Sequence, residues 1–543
     1  MRRKTAVTAT VLLLGATVVL SPSAAAAPSP SPSPADQQII AQQNKELDSQ
    51  ANELDPATGQ SRFTPLPPPP NHGHDSTGTP TASDLMTTEM TAAAVTDPAQ
   101  IGSWASETSF SGDQNMVHVV CSPTRKCLFV VGKAGKFSSY VFDPATGSEH
   151  LVKTPDDLFC AGHVLLPDGR ALVIGGTLGT SPWRGGKTVY AFNFVTESYE
   201  KLSDMAVGRW YPSVVTMSDG RQLITSGYDV TGKKTNVVEV FDPKTNVATT
   251  LTPTRTFPLY PRTFQTSTPG QIFYAGPTGA GFWNPVTGGF RSVNNATGNK
   301  PTGFGSCFFG DVRDQNLIVM GGGWPATATT NVIDLDSAAP AYTAGPPLSA
   351  AKGYVSCVNL PDGTLFQANG GSDNQVSAAS QTTGLLTSLA GPWLAMSPLP
   401  AGEHRLYHSL LFLLDDGRVV SVTSNPKGGV SAQSKSFLVF SPPYLSRGTR
   451  PAITTSPTEV TYGGTYDMGV TAGAGRTVTR ITVTTAPSAT HSTDLNQRYL
   501  SLPLTNGSIT FPTQSTIMPP GWYRIWAVDD DNVPSVAQWV HIQ

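Results

Sequence analysis

The chain has 543 residues, of which 13% are charged, and a formal net charge of −3. That length exceeds one ordinary domain unless the fold is a large all-β propeller or barrel, and the charge offers no basic face for nucleic acid. With 52 Gly and 46 Pro the sequence is punctuated throughout, as turn-rich β proteins are, and long periodic helices are missing.

Arg2, Arg3 and Lys4 precede an apolar run from Ala6 to Leu20, and SPSAAAAP then offers small-residue cleavage sites near Ala27. This reads as an export leader over 1–27. A membrane anchor is the alternative, but the run falls short of the ~20 apolar residues that span a bilayer. No later stretch is apolar enough to do so. The mature protein is therefore expected to be secreted and soluble, in a compartment that permits disulfides. Residues 28–98 read as a Pro/Ser/Thr-rich tether, largely disordered, because PSPSPSP and PLPPPP favour extended polyproline and bury little. Ile40, Leu47 and Leu54, seven apart, allow one short helix within it. The tether is also a candidate for cell-wall association. His72 and His74 in NHGHD are expected to be solvated rather than metal-bound.

Beyond the tether a motif recurs about every fifty residues. RKCLFVVG ends at Gly132, DGRALVIGG at Gly176, DGRQLITSG at Gly227 and GQIFYAG at Gly276. QNLIVMGGG ends at Gly323, DGTLFQANGG at Gly371 and DGRVVSVTS at Ser424. A second hydrophobic strand closed by a Pro- or Gly-containing turn follows many of them, as in YVFDPATG from Tyr140 and VEVFDPKTN from Val238. Four strands per repeat of this period is the signature of a kelch-type β-propeller blade. Seven units predict a seven-bladed propeller over 99–447. A β-sandwich with chance likeness among its hairpins is the plainer alternative, and seven occurrences speak against it. After Arg447 the repeat stops. Short alternating segments such as RTVTRITVTTA and GWYRIWAVDDDNVPSVAQWVHI predict an immunoglobulin-like sandwich over 448–543, packed on the propeller.

The repeat aligns reactive side chains. Cys160 lies eight residues before Asp168 of its Asp-Gly turn, Tyr211 eight before Asp219, Tyr354 eight before Asp362 and His408 eight before Asp416, with Tyr407 one residue earlier. Equivalent positions in a propeller share one height and one radius. Cys160, Tyr211, Tyr407 and His408 can therefore meet near its axis. Of the five cysteines, Cys121 and Cys127 flank SPTRK and could close a small disulfide, while Cys307 and Cys357 hold corresponding places in neighbouring repeats and could pair. Both pairs could equally be reduced. Cys160 is the odd thiol.

A neutral imidazole with phenolate oxygens in a tetragonal arrangement suits Cu(II). A free thiol beside a phenol and copper offers a route to a covalent thioether, which would make that phenol easier to oxidise. Copper and such a phenol could store two oxidising equivalents without an organic cofactor. THSTDLNQRYLSL supplies a second histidine, His491, if a loop of the C-terminal region reaches the axis. Each residue has a plainer explanation: Tyr211 with Trp210 as a core pair, Cys160 as a small buried hydrophobe, His408 as a satisfied core histidine, His491 as a surface residue. None of these explanations predicts the shared position in the repeat.

With these residues in view, the sequence resembles the radical copper oxidases, the family of galactose oxidase and glyoxal oxidase. The resemblance rests on DLFCAGHVLLPDGRALVIGG, GRWYPSVVTMSDGR, RLYHSLLFLLDDGR, THSTDLNQRYLSLPL and PPGWYRIWAVDDDNVPSVAQWV, in that order, from about Trp104 to the C-terminus. It implies that Tyr211 is an equatorial tyrosine bonded through its ring to the sulfur of Cys160. Tyr407 would be the axial tyrosine that accepts the substrate's hydroxyl proton, and His408 and His491 the two imidazole ligands of one copper ion. The implied reaction oxidises a primary alcohol or hydrated aldehyde by two electrons and reduces O2 to hydrogen peroxide. The implied partners are O2 and a small alcohol, aldehyde or carbohydrate, and a monomer is expected.

The sequence departs from galactose oxidase in two places. A tryptophan stacked over the crosslinked tyrosine is replaced here by TSGYDV, so that role falls to Tyr228, Trp183 or Trp324, or to none. The tether has no room for galactose oxidase's N-terminal sugar-binding domain, and RWYPS is nearer the glyoxal oxidase pattern; galactose is not the favoured substrate. The rival readings are a non-catalytic propeller that binds glycans or cell-wall polymers, a sialidase-type glycosidase and a quinone-dependent dehydrogenase. The second lacks its paired carboxylates or arginine cluster, and the third its tryptophan-rich repeat.

Overall fold

The computed structural model describes residues 96–109, 116–131, 134–323, 325–372, 378–424 and 434–543. The leader at 1–27, the tether up to residue 95 with its short helix and His72 and His74, and Trp324 lie outside the described residues.

The described residues are all-β, with helix among them confined to single turns such as Pro98–Ile101 and Ala378–Gln381. Among the described residues, no helix is long and apolar enough to cross a membrane. Each glycine-terminated segment of the repeat is the second strand of its own antiparallel sheet: Cys127–Val131, Ala171–Ile174, Gln222–Thr225, Ile272–Tyr274, Asn316–Met320, Leu365–Ala368 and Val419–Ser424. Chemistry at the turn explains why the motif begins Asp-Gly. In the turns before four of these strands the aspartate side chain accepts from the backbone N–H two residues on, at 3.1 Å for Arg170, 3.0 Å for Arg221, 3.1 Å for Thr364 and 2.9 Å for Arg418. The glycine between takes the left-handed backbone that costs other residues most, with φ of 86° at Gly169 and Gly417.

Burial falls across each sheet. The second strands Ala171–Ile174, Gln222–Thr225 and Leu365–Ala368 are buried along their whole length; the first is apolar throughout, and the other two also bury Gln222, Thr225 and Gln367. Outer strands such as Ser198–Lys201 and Val247–Thr250 are largely exposed and polar. The first strands lie side by side. Met116–Cys121 runs beside both Gly162–Leu165 and Leu410–Leu413, Ser213–Thr216 beside Gly162–Leu165 and Thr263–Gln265, and Ser356–Asn359 beside Gly305–Phe308 and Leu410–Leu413. The N-terminal strand Ser103–Ser109 completes the last sheet by pairing with Ser434–Ser441, Trp104 opposite Phe440.

The C-terminal stretch builds a separate five-stranded sheet from Glu459–Val460, Val478–Thr485, Tyr499–Pro503, Gly521–Asp529 and Gln538–Ile542. Its core (Ile481, Val483, Ile525, Val540) is continuous with the apolar cluster around Leu223, Phe273 and Leu317 of the repeats. One strand, Ser488–Thr490, leaves this region and pairs with the edge of Met116–Cys121, setting Thr490 opposite His118.

Both pairings that the sequence left open are present as disulfides, Cys121–Cys127 within the first sheet and Cys307–Cys357 between the first strands of two neighbouring sheets. The second closes a loop 50 residues long. In the chain-entropy account a loop of that size stabilises by roughly 4 kcal/mol, and removal of native disulfides typically costs about 2–5 kcal/mol. The double variant Cys307→Ser/Cys357→Ser should therefore lose that much unfolding free energy in a denaturant titration; an unchanged midpoint would show that the two sheets hold their register without the bond.

Candidate metal centre

Five side chains from four separated stretches meet where first strands begin. Cys160 stands just before Gly162–Leu165, Tyr211 before Ser213–Thr216, and Tyr407 and His408 before Leu410–Leu413; His491 follows Ser488–Thr490. All five are buried. Cys160, Tyr211, His408 and His491 have left-handed backbone, with φ of 56°, 68°, 64° and 46°. Neighbouring side chains on a regular strand face opposite ways. The left-handed residue breaks that alternation, so that Tyr407 and His408 stack with ring centroids 3.8 Å apart at 25°. Ser409 N–H donating to Leu406 O at 3.0 Å closes the turn.

The same position is tied from sheet to sheet through the backbone. Tyr211 N–H donates to Cys160 O at 3.0 Å, Tyr260 N–H to Tyr211 O at 3.0 Å, and Tyr354 N–H to Gly303 O at 2.5 Å. The loop carrying His491 is anchored as firmly. Thr490 and Thr493 exchange two backbone hydrogen bonds of 2.8 and 2.9 Å. Arg262 Nη2 donates to His491 O at 3.0 Å, and Ser492 Oγ to Tyr354 O at 2.9 Å.

The donor atoms converge. Sγ of Cys160 and one ring nitrogen each of His408 and His491 lie within 4.8 Å of one another. Cys160 Sγ is 3.8 Å from His491 Nε2, Tyr211 Oη is 3.4 Å from His408 Nε2, and the hydroxyls of Tyr211 and Tyr407 are in direct contact. Burial drives the His408 imidazole down to a pKa of about 3. Burial, with His408 and His118 close by, drives His491 well below its ordinary value. Both rings are therefore neutral near pH 7, the form that binds metal. Two neutral imidazoles and two phenol oxygens at one buried point match the donor set that suits a tetragonal Cu(II) ion. The plainer explanations give way at two positions: His491 is only 3% exposed, and His408 Nδ1 has no hydrogen-bond partner among the described residues. A cavity of about 40 Å³ lined by Tyr211, Tyr260, Arg262, Tyr354, Tyr407 and His491 borders the cluster.

The rings around Tyr211 are ordered differently from the expectation. Trp183 and Tyr228 each stack on Trp210, at 4.3 Å and 6° and at 5.9 Å and 11°. Trp210 in turn meets Tyr211 with centroids 4.0 Å apart. The core pair Trp210-Tyr211 and two of the stacking candidates, Trp183 and Tyr228, are thus parts of one aromatic cluster. Gly185 makes it possible, because a Cβ there would collide with the backbone of Arg209, Trp210 and Tyr228. Tyr260 went unnoticed in the sequence, yet its ring lies 4.5 Å from Tyr211 and 4.3 Å from His491. It holds the same left-handed position in its sheet, with φ of 45°. The turn that follows it is STPGQ, one residue longer and without Asp-Gly, so counting back from aspartate passed it by. Tyr354, noted in the sequence only for its place in the repeat, packs on Tyr407 at 4.8 Å. Behind the cluster, His118 and His163 face each other through their Nδ1 atoms at 3.1 Å.

Comparison with known proteins agrees with this architecture. A family model described as "Galactose oxidase-like, Early set domain" matches residues 450–542. A galactose oxidase of Gibberella zeae is 27% identical over 443 residues, covering 74% of this chain; the match spans 63% of that relative's length, less than two thirds. The aldehyde oxidase GLOX of Vitis pseudoreticulata is 28% identical over 457 residues, covering 74% of this chain and 85% of the relative. A solved structure described as a novel fungal alcohol oxidase of the AA5 family, in complex with copper, superposes with a TM-score of 0.71 over 82% of this chain and all of that one, at 21% identity. At that identity the likeness speaks for the fold. Fold and site together define an all-β chain ending in a galactose oxidase-like Early set domain. Its galactose oxidase and GLOX homologues support the radical copper oxidase family for this chain, and the resemblance read from the sequence is borne out.

The buried histidines give the metal-free protein an acid limit. Burial lowers His163 from 6.5 to about 4 and His408 to about 3, so below pH 6.5 the unfolded chain binds more protons than the folded one. Stability present above pH 6.5 is then lost as pH falls toward these folded values, by on the order of 1 kcal/mol per pH unit for each histidine. Asp494 and Asp157, pushed up by burial to about 7 and about 6, act with the opposite sign between about pH 4 and those values. The histidine share is therefore read as a difference. His163→Phe should flatten the fall of the urea midpoint between pH 6.5 and 4 relative to the parent; an identical slope would show that His163 is not held neutral.

Proposed function

We propose that the protein is a secreted copper-radical oxidase that oxidises a primary alcohol or aldehyde by two electrons and reduces O2 to hydrogen peroxide. One observation carries this reading. Tyr211, Tyr407, His408 and His491 bring phenol oxygens and neutral imidazoles to a single buried point, with the thiol of Cys160 beside it although it stands 331 residues from His491 in sequence. In this reading the seven sheets are the blades of one kelch-type propeller over 99–447, followed by an immunoglobulin-like sandwich over 448–543. The neighbouring first strands described above, with the last sheet beside the first, support it. Export by the leader at 1–27, cell-wall association through the tether and action as a monomer belong to the same reading.

His408 and His491 would hold one copper ion through Nε2, and Tyr211 and Tyr407 through their phenol oxygens. Bound there, copper would supply one of two oxidising equivalents, and Tyr211, as a phenoxyl radical, the other. The Cys160–Tyr211 thioether replaces one S–H and one ring C–H bond; O2 takes the two electrons and two protons as hydrogen peroxide. The sulfur then feeds electron density into the ring and makes it easier to oxidise. Tyr407, as phenolate, would accept the substrate's hydroxyl proton, and the Tyr211 oxygen a hydrogen atom from the substrate carbon. The sum balances: RCH2OH and O2 give RCHO and H2O2. Burial of the whole set keeps water from quenching the radical. The RWYPS segment favours a glyoxal oxidase-like substrate over galactose.

The reading is tested by loading the whole chain with copper in air and screening primary alcohols and aldehydes for peroxide. At full copper occupancy at least one class should give steady release. Silence across the panel would favour the non-catalytic glycan- or cell-wall-binding alternative. Tyr407→Phe should keep its copper yet lose about 10²- to 10⁴-fold in turnover, the usual worth of a general base. Aerobic loading should also lower the intact mass by two hydrogens in the parent and leave Cys160→Ser unchanged; no loss in the parent would rule out the thioether.

A further inference from the structure

We infer that Thr490 is a positioning residue that fixes the tautomer of His491, placing the ring proton on Nδ1 and leaving the Nε2 lone pair for the metal. The inference rests on the reading of His491 as a copper ligand. Thr490 Oγ1 lies 2.7 Å from Val117 O and 2.6 Å from His491 Nδ1. A hydroxyl has one proton to give, and a carbonyl oxygen can only accept. The Thr490 proton is therefore committed to Val117 O. Oγ1 can then meet Nδ1 only as an acceptor, so Nδ1 must carry a hydrogen. A neutral imidazole has one N–H, which leaves Nε2 bare on the side facing Cys160 Sγ.

The surroundings hold this arrangement rigid. Val117 is fully buried and Thr490 8% exposed, so water does not compete freely for these bonds. Thr490 ends the strand that pairs with Met116–Cys121, and its backbone is closed into the turn with Thr493. The first sheet thus decides, through one hydroxyl, which nitrogen of a C-terminal histidine is available. Among the described residues His408 Nδ1 has no such partner: its ring is held by stacking on Tyr407 and edge contacts with Phe159 and His491. Partners of this kind, which orient a ligating histidine through its other ring nitrogen, are typically worth 10- to 100-fold in metal affinity.

Thr490→Val keeps the shape and removes the acceptor, whereas Thr490→Ser keeps the acceptor. In the metal-free whole chain, Cu(II) affinity measured by chelator competition should weaken 10- to 100-fold in Thr490→Val and return to near the parental value in Thr490→Ser. The melting temperature of each metal-free variant, read alongside, separates this loss from general unfolding. Equal affinity in the parent and Thr490→Val overturns the inference; a parent that binds no copper overturns the metal reading of the site instead. Should Thr490→Val not fold, the tautomer is read in the metal-free parent labelled with ¹⁵N-histidine, the His491 signals being those missing in His491→Ala. Protonation at Nδ1 is expected, and protonation at Nε2 would sink the inference.

Discussion

A single left-handed residue at the start of the first strands is the constraint on which the site depends. Cys160, Tyr211, Tyr260, Tyr354 and His408 all adopt it, and in the fifth sheet the position is Gly303. For a residue with a side chain such a backbone costs on the order of 1–3 kcal/mol, so it persists only where neighbours enforce it. Here the enforcing contacts are the backbone hydrogen bonds that run from one sheet's start to the next. Buried cations just upstream complete the clamp. Arg209, two residues before Tyr211, donates to Ser226 O and Val237 O at 2.7 and 2.9 Å. Arg405, three before His408, donates to Ser421 O and Ser436 O at 3.3 and 2.9 Å. Each ties the start of a first strand to later strands of its own sheet or to the residues flanking them. The sheets therefore set the backbone, and the side chain at each position is left to set the chemistry.

The remaining ligand candidate comes from outside the repeats and is held by different means. His491 sits in a turn whose fixed points all lie on repeat strands or their starts: Val117, Arg262 and Tyr354. The C-terminal sheet adds to this through an apolar core shared with the repeats. Neutral rings make the assembly tolerable. Packing His118, His163, His408 and His491 together in the interior is feasible only because burial keeps them uncharged at ordinary pH.

Most of the architecture was legible in the sequence because the repeat writes the same physics seven times. Asp-Gly turns and glycine-terminated apolar runs correspond one by one to second strands, and the distance counted back from the turn found Cys160, Tyr211, Tyr407 and His408. The two disulfides were only possibilities in the sequence, one from cysteines flanking a hairpin and one from equivalent places in neighbouring repeats, and the fold decides them. What stayed hidden lies where the period slips or where partners are distant. Tyr260 is masked by an irregular turn. The role of Trp210 depends on a hairpin, Trp183–Gly185, that reaches it from the preceding sheet. Thr490 gains its meaning only from the carbonyl of Val117, 373 residues away, and no local pattern announces such a pairing.

The pairing of Ser488–Thr490 with Met116–Cys121 also sets a timetable. Contacts this far apart in sequence form late, because the loop between them must close first. A chain still emerging from the ribosome, or one broken off before Ser488, can build sheets from the middle of the repeat, yet the edge of its first sheet stays open and the histidine that completes the cluster is missing. Of the five clustered side chains, His491 comes last in the sequence. The cluster around Cys160, His408 and His491 is thus completed only when a contact that spans most of the repeats has closed.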